Sequence, residues 1–226
     1  MTRTRRKRRR QGSSLRPQLF LLAVLAAAIV LLLLPDLLRR PRPLPPPLPA
    51  GDAPRAVEEV LPEDLAGLRR AFVEQAASLV GKVGYFWGGK SDCIGWDERW
   101  GIPAVVTAAG CSDTGKSMPF GLDCSGYVCW AAVNAVGDRA AYGSVGDGVR
   151  AQWAACSPVE WADAQPGDLA FFPDLSHVGI VAGRDESGKL LVLHCSRSLG
   201  GVVCSPDGAA AGFTQLGRPA LFADFL

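Results

Sequence analysis

Leu122-Asp123-Cys124-Ser125-Gly126-Tyr127-Val128-Cys129-Trp130-Ala131-Ala132-Val133 is the stretch that decides the fold. Asp123 and Ser125 carry cap-type side chains, Gly126 leaves the approach uncrowded, and the apolar run continues to Val136 before Gly137 stops it. The pattern predicts a buried helix with Cys124 at its N-terminus. Unpaired backbone N–H groups and the positive end of the macrodipole there favour thiolate over thiol, which suits a nucleophile. A lone cysteine beside a helix cap is more often structural, so the reading depends on the rest of the chain.

The chain has two histidines, and both follow Cys124 in strand-like runs. His177 opens Ser176-His177-Val178-Gly179-Ile180, and His194 closes Leu190-Leu191-Val192-Leu193-His194. Arg184-Asp185-Glu186-Ser187-Gly188-Lys189 between them reads as a hairpin turn. Adjacent antiparallel strands are expected to place both imidazoles side by side, facing the helix that carries Cys124. A nucleophilic thiol needs a base for its proton and a third group to orient that base. Cys124, His177 and His194 fill those roles in that order.

With Asp123-Cys124-Ser125-Gly126, Tyr85-Phe86-Trp87-Gly88-Gly89, Gln165-Pro166-Gly167-Asp168-Leu169-Ala170-Phe171-Phe172 and Ser176-His177-Val178-Gly179-Ile180 in hand, the sequence resembles the NlpC/p60 superfamily of papain-like cell-wall cysteine peptidases. The four motifs stand in the family's order across roughly residues 65 to 226. The resemblance implies an α+β, papain-like fold with the nucleophile helix packed on an antiparallel sheet. It implies that Tyr85 helps line the site, and that Asp123 and Ser125 contact the free amino end of a stem peptide. The bond it implies is that from γ-D-glutamyl to a diamino acid, diaminopimelate or lysine, in peptidoglycan stem peptides. The bottom-up mechanism is acyl transfer. Cys124 attacks an amide carbonyl, His177 protonates the departing amine, His194 accepts the other ring N–H of His177, and the Cys124 N–H stabilises the oxyanion. Two alternatives remain: an N-acetylmuramoyl-L-alanine amidase of similar fold, and a silent membrane-tethered wall-binding protein.

Charge divides the 226 residues unevenly despite a net of +2. Eleven of the 24 bases but only one of the 22 acids, Asp36, lie through Arg42, which leaves 13 bases against 21 acids beyond it. An acidic body without a basic stripe argues against a nucleic-acid partner. The basic run Arg3 to Arg10 precedes sixteen apolar residues, Leu19 to Leu34. Crossing a membrane takes about 20 residues, and Gln18 to Leu38 supplies them. We therefore expect residues 1–17 as a basic cytoplasmic tail and 18–38 as an uncleaved transmembrane anchor, with the domain outside a bacterial cell membrane. Residues 39–60 read as a Pro-rich linker, in which Pro41 to Pro54 favours extended polyproline conformation and reaches roughly 40 Å. Residues 61–226 read as the peptidase domain, with an insertion at 90–120.

Within that domain a helix is expected from Pro62 to Gly81, with an apolar stripe of Leu65, Leu68, Phe72, Ala76 and Leu79. Trp96 and Trp100 in the insertion either stack on sugar or pack the loop, the second being the more ordinary role. A short helix is expected at Val149–Ala155, and strands at Leu169–Phe172, Val178–Ala182, Leu190–His194, Gly201–Cys204 and Leu221–Ala223. Of the seven cysteines, Cys124 as free thiol leaves Cys93, Cys111, Cys129, Cys156, Cys195 and Cys204 as disulfide candidates. Proximity favours Cys93–Cys111 and Cys195–Cys204, leaving Cys129–Cys156, and the alternative is a set of unpaired buried thiols. No Cys-x-x-Cys occurs, so no metal is expected, and no cofactor either. Stem peptides and the membrane are the partners the sequence points to; it names no protein partner.

Overall fold

The computed structural model of the chain describes residues 46–225, together with residue 22. The expected tail and, but for Leu22, the anchor lie outside the described residues, as does the start of the linker. No helix among the described residues is long and apolar enough to cross a membrane.

The apolar pattern after Cys124 does what it predicts. Helix α3 runs Cys124–Val136, and Asp123 in extended backbone caps it by accepting from the Gly126 N–H at 2.7 Å. Gly137 ends it in the left-handed region at φ 76°, where a side chain would be strained. Ten consecutive residues from Cys124 to Val133 are buried. A helix that is apolar all round must be covered on every side. Helix α2, Gly67–Ser78, covers one side. It is shorter than the Pro62–Gly81 span expected, because Ala66 is extended and Gly67 stands at φ 64°, so residues 62–65 form a turn. The Tyr127 hydroxyl fastens the two helices, donating to the Ala76 carbonyl at 2.8 Å.

On another side lies an antiparallel sheet of β3 (Cys156–Val159), β4 (Leu169–Phe171), β5 (Val178–Arg184), β6 (Leu190–Ser196), β7 (Gly201–Ser205) and β8 (Gln215–Pro219). Its order is β3-β8-β4-β5-β6-β7. The α+β expectation of helices packed on an antiparallel sheet holds. One expected strand is absent, and β3 and β8 were not expected. Leu221–Ala223 lies in a helical turn, α6 (Leu221–Asp224), and the strand is instead the preceding Gln215–Pro219. That strand contains Gly217 because β3 crowds it: a Cβ there would stand 2.6 Å from the Cys156 Cβ.

Strand alternation sorts the core into two layers. Val178, Ile180, Leu191, Leu193 and Cys195 join the cluster under α3, whereas Val181, Leu190, Val192 and Phe213 form a second cluster. Val149–Ala154 is the short helix α5, after α4 (Ala141–Val145). The 90–120 insertion contains a two-stranded hairpin, β1 (Pro103–Val105) with β2 (Ser117–Pro119). Its Trp100 is buried edge-on between Trp96 and Trp130, so this tryptophan packs the loop, while Trp96 stays half exposed.

The end of the Pro-rich stretch is not a free spacer. The Leu48 N–H donates to the Cys204 carbonyl at 2.8 Å on the edge strand β7. Residues Ala53–Val60 then form helix α1, with Ala53 and Val57 buried in the main core. Gly183 admits this helix, since a Cβ there would meet the Val60 carbonyl at 2.5 Å.

None of the six disulfide candidates is bridged; all seven cysteines are free thiols. Register explains the clearest case. Cys195 lies opposite Val202 and Cys204 opposite Leu193, so the two are diagonal neighbours on one face. Diagonal pairs stand about 7–8 Å apart, too far to bridge without moving backbone. Cys129 is buried in α3 and bonds to the Gly146 carbonyl, while Cys156 lies on the far edge strand β3 beside Gly217. Cys93 and Cys111 are half-buried in the insertion, and the Cys111 thiol lies 3.6 Å from the Asp113 carboxylate.

Candidate active site

Cys124 sits on the first turn of α3, where the backbone N–H groups lack intrahelical acceptors. The backbone N–H groups of Val178 and Ser125 lie toward its sulfur and favour its anion. Val178 is the first residue of β5 and follows His177 directly, so the thiol abuts the peptide that carries the histidine. Burial and then Asp123 push the thiol up to about 11, against the Val178 N–H and Lys90, which favour the anion. The isolated thiol is therefore protonated at neutral pH. Desolvation opposes the thiolate that the helix terminus favours, because Cys124 is only 7% exposed.

The two histidines do meet. His177 Nε2 and His194 Nδ1 are 2.8 Å apart, and His194 Nε2 lies 2.9 Å from the Ser205 hydroxyl. Their orientation corrects one expectation. His177 and His194 share the sheet face of Val181 and Val192, not the face under α3. Both rings pack on Phe213, with His177 also edge-on to Phe172. Cys124 thus meets the backbone at the start of β5, one residue after His177. Gly179 makes room for this, since a Cβ there would come within 3.0 Å of the His194 Cβ. Burial pulls His177 down to about 4, opposed by Asp123, and pulls His194 down to about 3, helped by the charge of His177. Both rings are neutral at pH 7.

The Tyr85 motif is threaded through the site by backbone pairing. Tyr85 N–H bonds the Gly200 carbonyl at 3.0 Å, Phe86 N–H bonds Leu122, and Leu122 N–H bonds Gly84. Gly121 permits this close approach, for a Cβ there would collide with the Gly84 carbonyl. Tyr85 is half-buried and its phenol is held neutral by burial and by Cys124. It lines a cavity of about 900 Å³ together with His177, His194 and Ser205. Cys124, Asp123 and Ser125 line a second cavity of about 530 Å³. Trp87 and Ser176 belong to both walls, so the thiol and the histidines stand at a shared border.

Asp123 and Ser125 are buried, and their side chains are already engaged. Asp123 Oδ1 accepts from Ser125 Oγ at 2.9 Å and from Lys90 Nζ at 3.0 Å, and Lys90 Nζ also donates to Ser125 Oγ. Lys90 and Ser205 are the two side chains that sequence reading missed. A serine near a strand end carries no signal of its own. Lys90 is separated from its partners by over thirty residues, and only its place directly after Gly88-Gly89 ties it to the motif. Asp168, in contrast, anchors the fold. Fully buried, it pairs with Arg69 of α2 at 3.2 Å and Arg218 of β8 at 3.0 Å. Through Asp168 the Gln165–Phe172 motif ties helix to sheet, and its last residue, Phe172, lines the larger cavity beside His177.

The class these features define is an α+β protein with a helix-borne cysteine set against a histidine pair on an antiparallel sheet. No family model matches the chain. Two curated proteins, a probable endopeptidase of Mycobacterium tuberculosis and one of Mycobacterium bovis, are each 37% identical to it over 94 residues. That is 41% of this chain but only 23% of theirs, so the chain spans about a quarter of the relatives' length. Among solved structures it is similar to the peptidoglycan hydrolase RipB of M. tuberculosis, at 28% identity and TM-score 0.45 over 76% of this chain and 68% of that one. It is also similar to the P60 domain of an antigen of M. avium paratuberculosis, at 20% identity and TM-score 0.46 over 67% and 92%. A third is RipD of M. tuberculosis, titled a non-catalytic NlpC/p60 domain protein, at 21% identity and TM-score 0.43 over 68% and 98%.

Proposed function

We propose that the chain is a peptidoglycan hydrolase, a cysteine endopeptidase that cleaves the γ-D-glutamyl to diamino acid bond of stem peptides. The observation that carries this reading is the linked series Ser205–His194–His177 ending beside the Cys124 helix terminus. The names of the curated relatives, probable endopeptidases, agree with it.

Two neutral tautomer chains satisfy these distances, and catalysis needs one of them. His177 Nε2–H donates to His194 Nδ1, and His194 Nε2–H donates to Ser205 Oγ. That leaves His177 Nδ1 unprotonated and able to take the thiol proton as Cys124 attacks the scissile carbonyl. The imidazolium then protonates the leaving amine, and the reverse transfer activates the water that resolves the thioester. Because the resting pair is thiol and imidazole, charge is made only during attack, inside a partly closed cleft where the N–H groups of the α3 terminus stabilise it. His194 and Ser205 are positioning residues in this scheme.

Membrane attachment through residues 18–38, with the domain outside the cell, is part of the proposal and rests on the apolar span and its basic flank. The test is a digest of purified peptidoglycan by the full-length protein, read by mass spectrometry. Products ending in γ-D-glutamate, absent with Cys124→Ala, support the reading. Products split at the lactoyl–L-alanine bond transfer it to an amidase, and no product at all removes it.

A further inference from the structure

The wall of the Cys124 cavity holds an ion pair that the mechanism does not use. Asp123 Oδ1 is surrounded by three donors: Gly126 N–H at 2.7 Å, Ser125 Oγ at 2.9 Å and Lys90 Nζ at 3.0 Å. Lys90 Nζ also donates to Ser125 Oγ, and Asp147 lies 3.4 Å from the same ammonium on the outer side. A carboxylate and a hydroxyl at the first turn of a helix are acceptors suited to an incoming ammonium. Here the ammonium comes from the chain itself.

The fit of that lysine is built into the backbone. The Asp123 N–H bonds the Gly89 carbonyl at 3.0 Å, which brings the Gly88-Gly89-Lys90 segment over the start of α3. Gly126 is the residue beneath: a Cβ on it would collide with the Gly89 carbonyl and stand 3.1 Å from the Lys90 Cδ. The side chain is 29% exposed, so its charge faces the cavity without being free in solvent. Arg150 adds a second positive group to the lining and Asp147 a second negative one. With Lys90 bonded to Asp123 Oδ1 and Ser125 Oγ, a visiting cation meets an ammonium already seated at these two acceptors.

We propose that Lys90 is a specificity-determining residue whose ammonium occupies, beside Cys124, the position a substrate's free terminal ammonium would take. The cavity then accepts stem peptides whose amino end is acylated, as in a stem still joined to its glycan, and rejects peptides that end in a free amine. This inference rests on the peptidase reading for its substrate and on the Lys90–Asp123–Ser125 contacts for its site. Removing the ammonium frees the acceptors and admits the amine.

Two measurements on the full-length protein test it, with Lys90→Met to remove the charge and Lys90→Arg to keep it. In the first, L-alanyl-γ-D-glutamyl-diaminopimelate and its N-acetylated form are compared by kcat/KM. The native chain and Lys90→Arg should prefer the acetylated peptide, and Lys90→Met should shift the ratio toward the free amine by about tenfold, the size of one exchanged charge-assisted hydrogen bond. In the second, Cys124 is labelled with 2-aminoethyl methanethiosulfonate or with its neutral methyl analogue, and the Cys124 peptide is quantified by mass spectrometry. Lys90→Met should raise the cationic-to-neutral rate ratio by a similar factor. A native preference for the free amine, or a labelling ratio unmoved by Lys90→Met, overturns the proposal. If neither peptide is cut by any form, the peptidase reading falls, and the labelling ratio alone decides the assignment of Lys90.

Discussion

At the residue scale, Cys124 and His177 carry a consequence of burial that can be read as a pH profile. The thiol lies near 11 and His177 near 4, so neither is charged in the resting site. Alkylation of Cys124 by iodoacetamide should therefore keep rising through pH 8 to 10. A resting thiolate–imidazolium pair would instead give a plateau from about pH 5 upward. If His177 is the proposed base, its replacement by alanine should reduce turnover by the full general-base factor, about 10²–10⁴. His194→Gln retains an acceptor for the His177 N–H and should lose less than His194→Ala. The two rings also tie stability to pH. Folded values below the ordinary 6.5 mean that the unfolded chain binds more protons between about 4 and 6.5. Stability is thus complete above pH 6.5 and falls as pH drops toward 4, and urea midpoints at pH 7 and pH 5 should differ less in His194→Gln than in the native chain.

Among the elements, α3 was the most legible and the sheet edges the least. An unbroken apolar run between a capping aspartate and a glycine has one reading, and Cys124–Val136 fulfils it. The His177 and His194 strands were legible as strands, and their pairing as neighbours followed from the turn between them. Which face the rings take was not, because the register of β4 against β5, and of β8 against β4, depends on pairings made far along the chain. Gln215–Pro219 contains a glycine and a proline and has no strand signal, yet it lies between β3 and β4. The cysteines were misread for a similar reason: closeness in sequence across a hairpin does not give the register a bridge needs. Thiol titration in denaturant without reductant should find seven free cysteines. Asp168 offers a sharper test of how the elements are joined. With its carboxylate fully buried between two guanidinium groups, Asp168→Ala leaves Arg69 without its charge partner in the interior and should cost about 3 kcal/mol. Denaturant unfolding measures it, and a cost below about 1 kcal/mol, the range of an exposed pair, would reduce the clamp to a surface contact.

For the molecule as a whole, the open issue is where the folded domain starts. Composition places the linker through residue 60, since proline is dense up to Pro54 and no apolar stripe is visible before Pro62. The structure instead packs α1 on the core, with Ala53 fully buried and Val57 and Leu61 nearly so. The backbone bond from Leu48 to Cys204 secures the segment ahead of it to the outermost strand. Proline-rich sequence hides this because proline limits only the backbone of the entering chain and says nothing of what the following helix covers. Burying a valine or leucine side chain contributes roughly 1.5–3 kcal/mol, so losing Val57 and uncovering Leu61 should together cost about 3 kcal/mol. Two shortened proteins decide the matter, one beginning at residue 46 and one at residue 61. The longer should unfold cooperatively, with Cys124 protected from alkylation. The shorter should show a urea midpoint clearly below it, or fail to remain in solution, because the α1 seat beside Gly183 is then left open to water. Equal midpoints would mean that α1 rests on the domain without supporting it, and the boundary would return to residue 61.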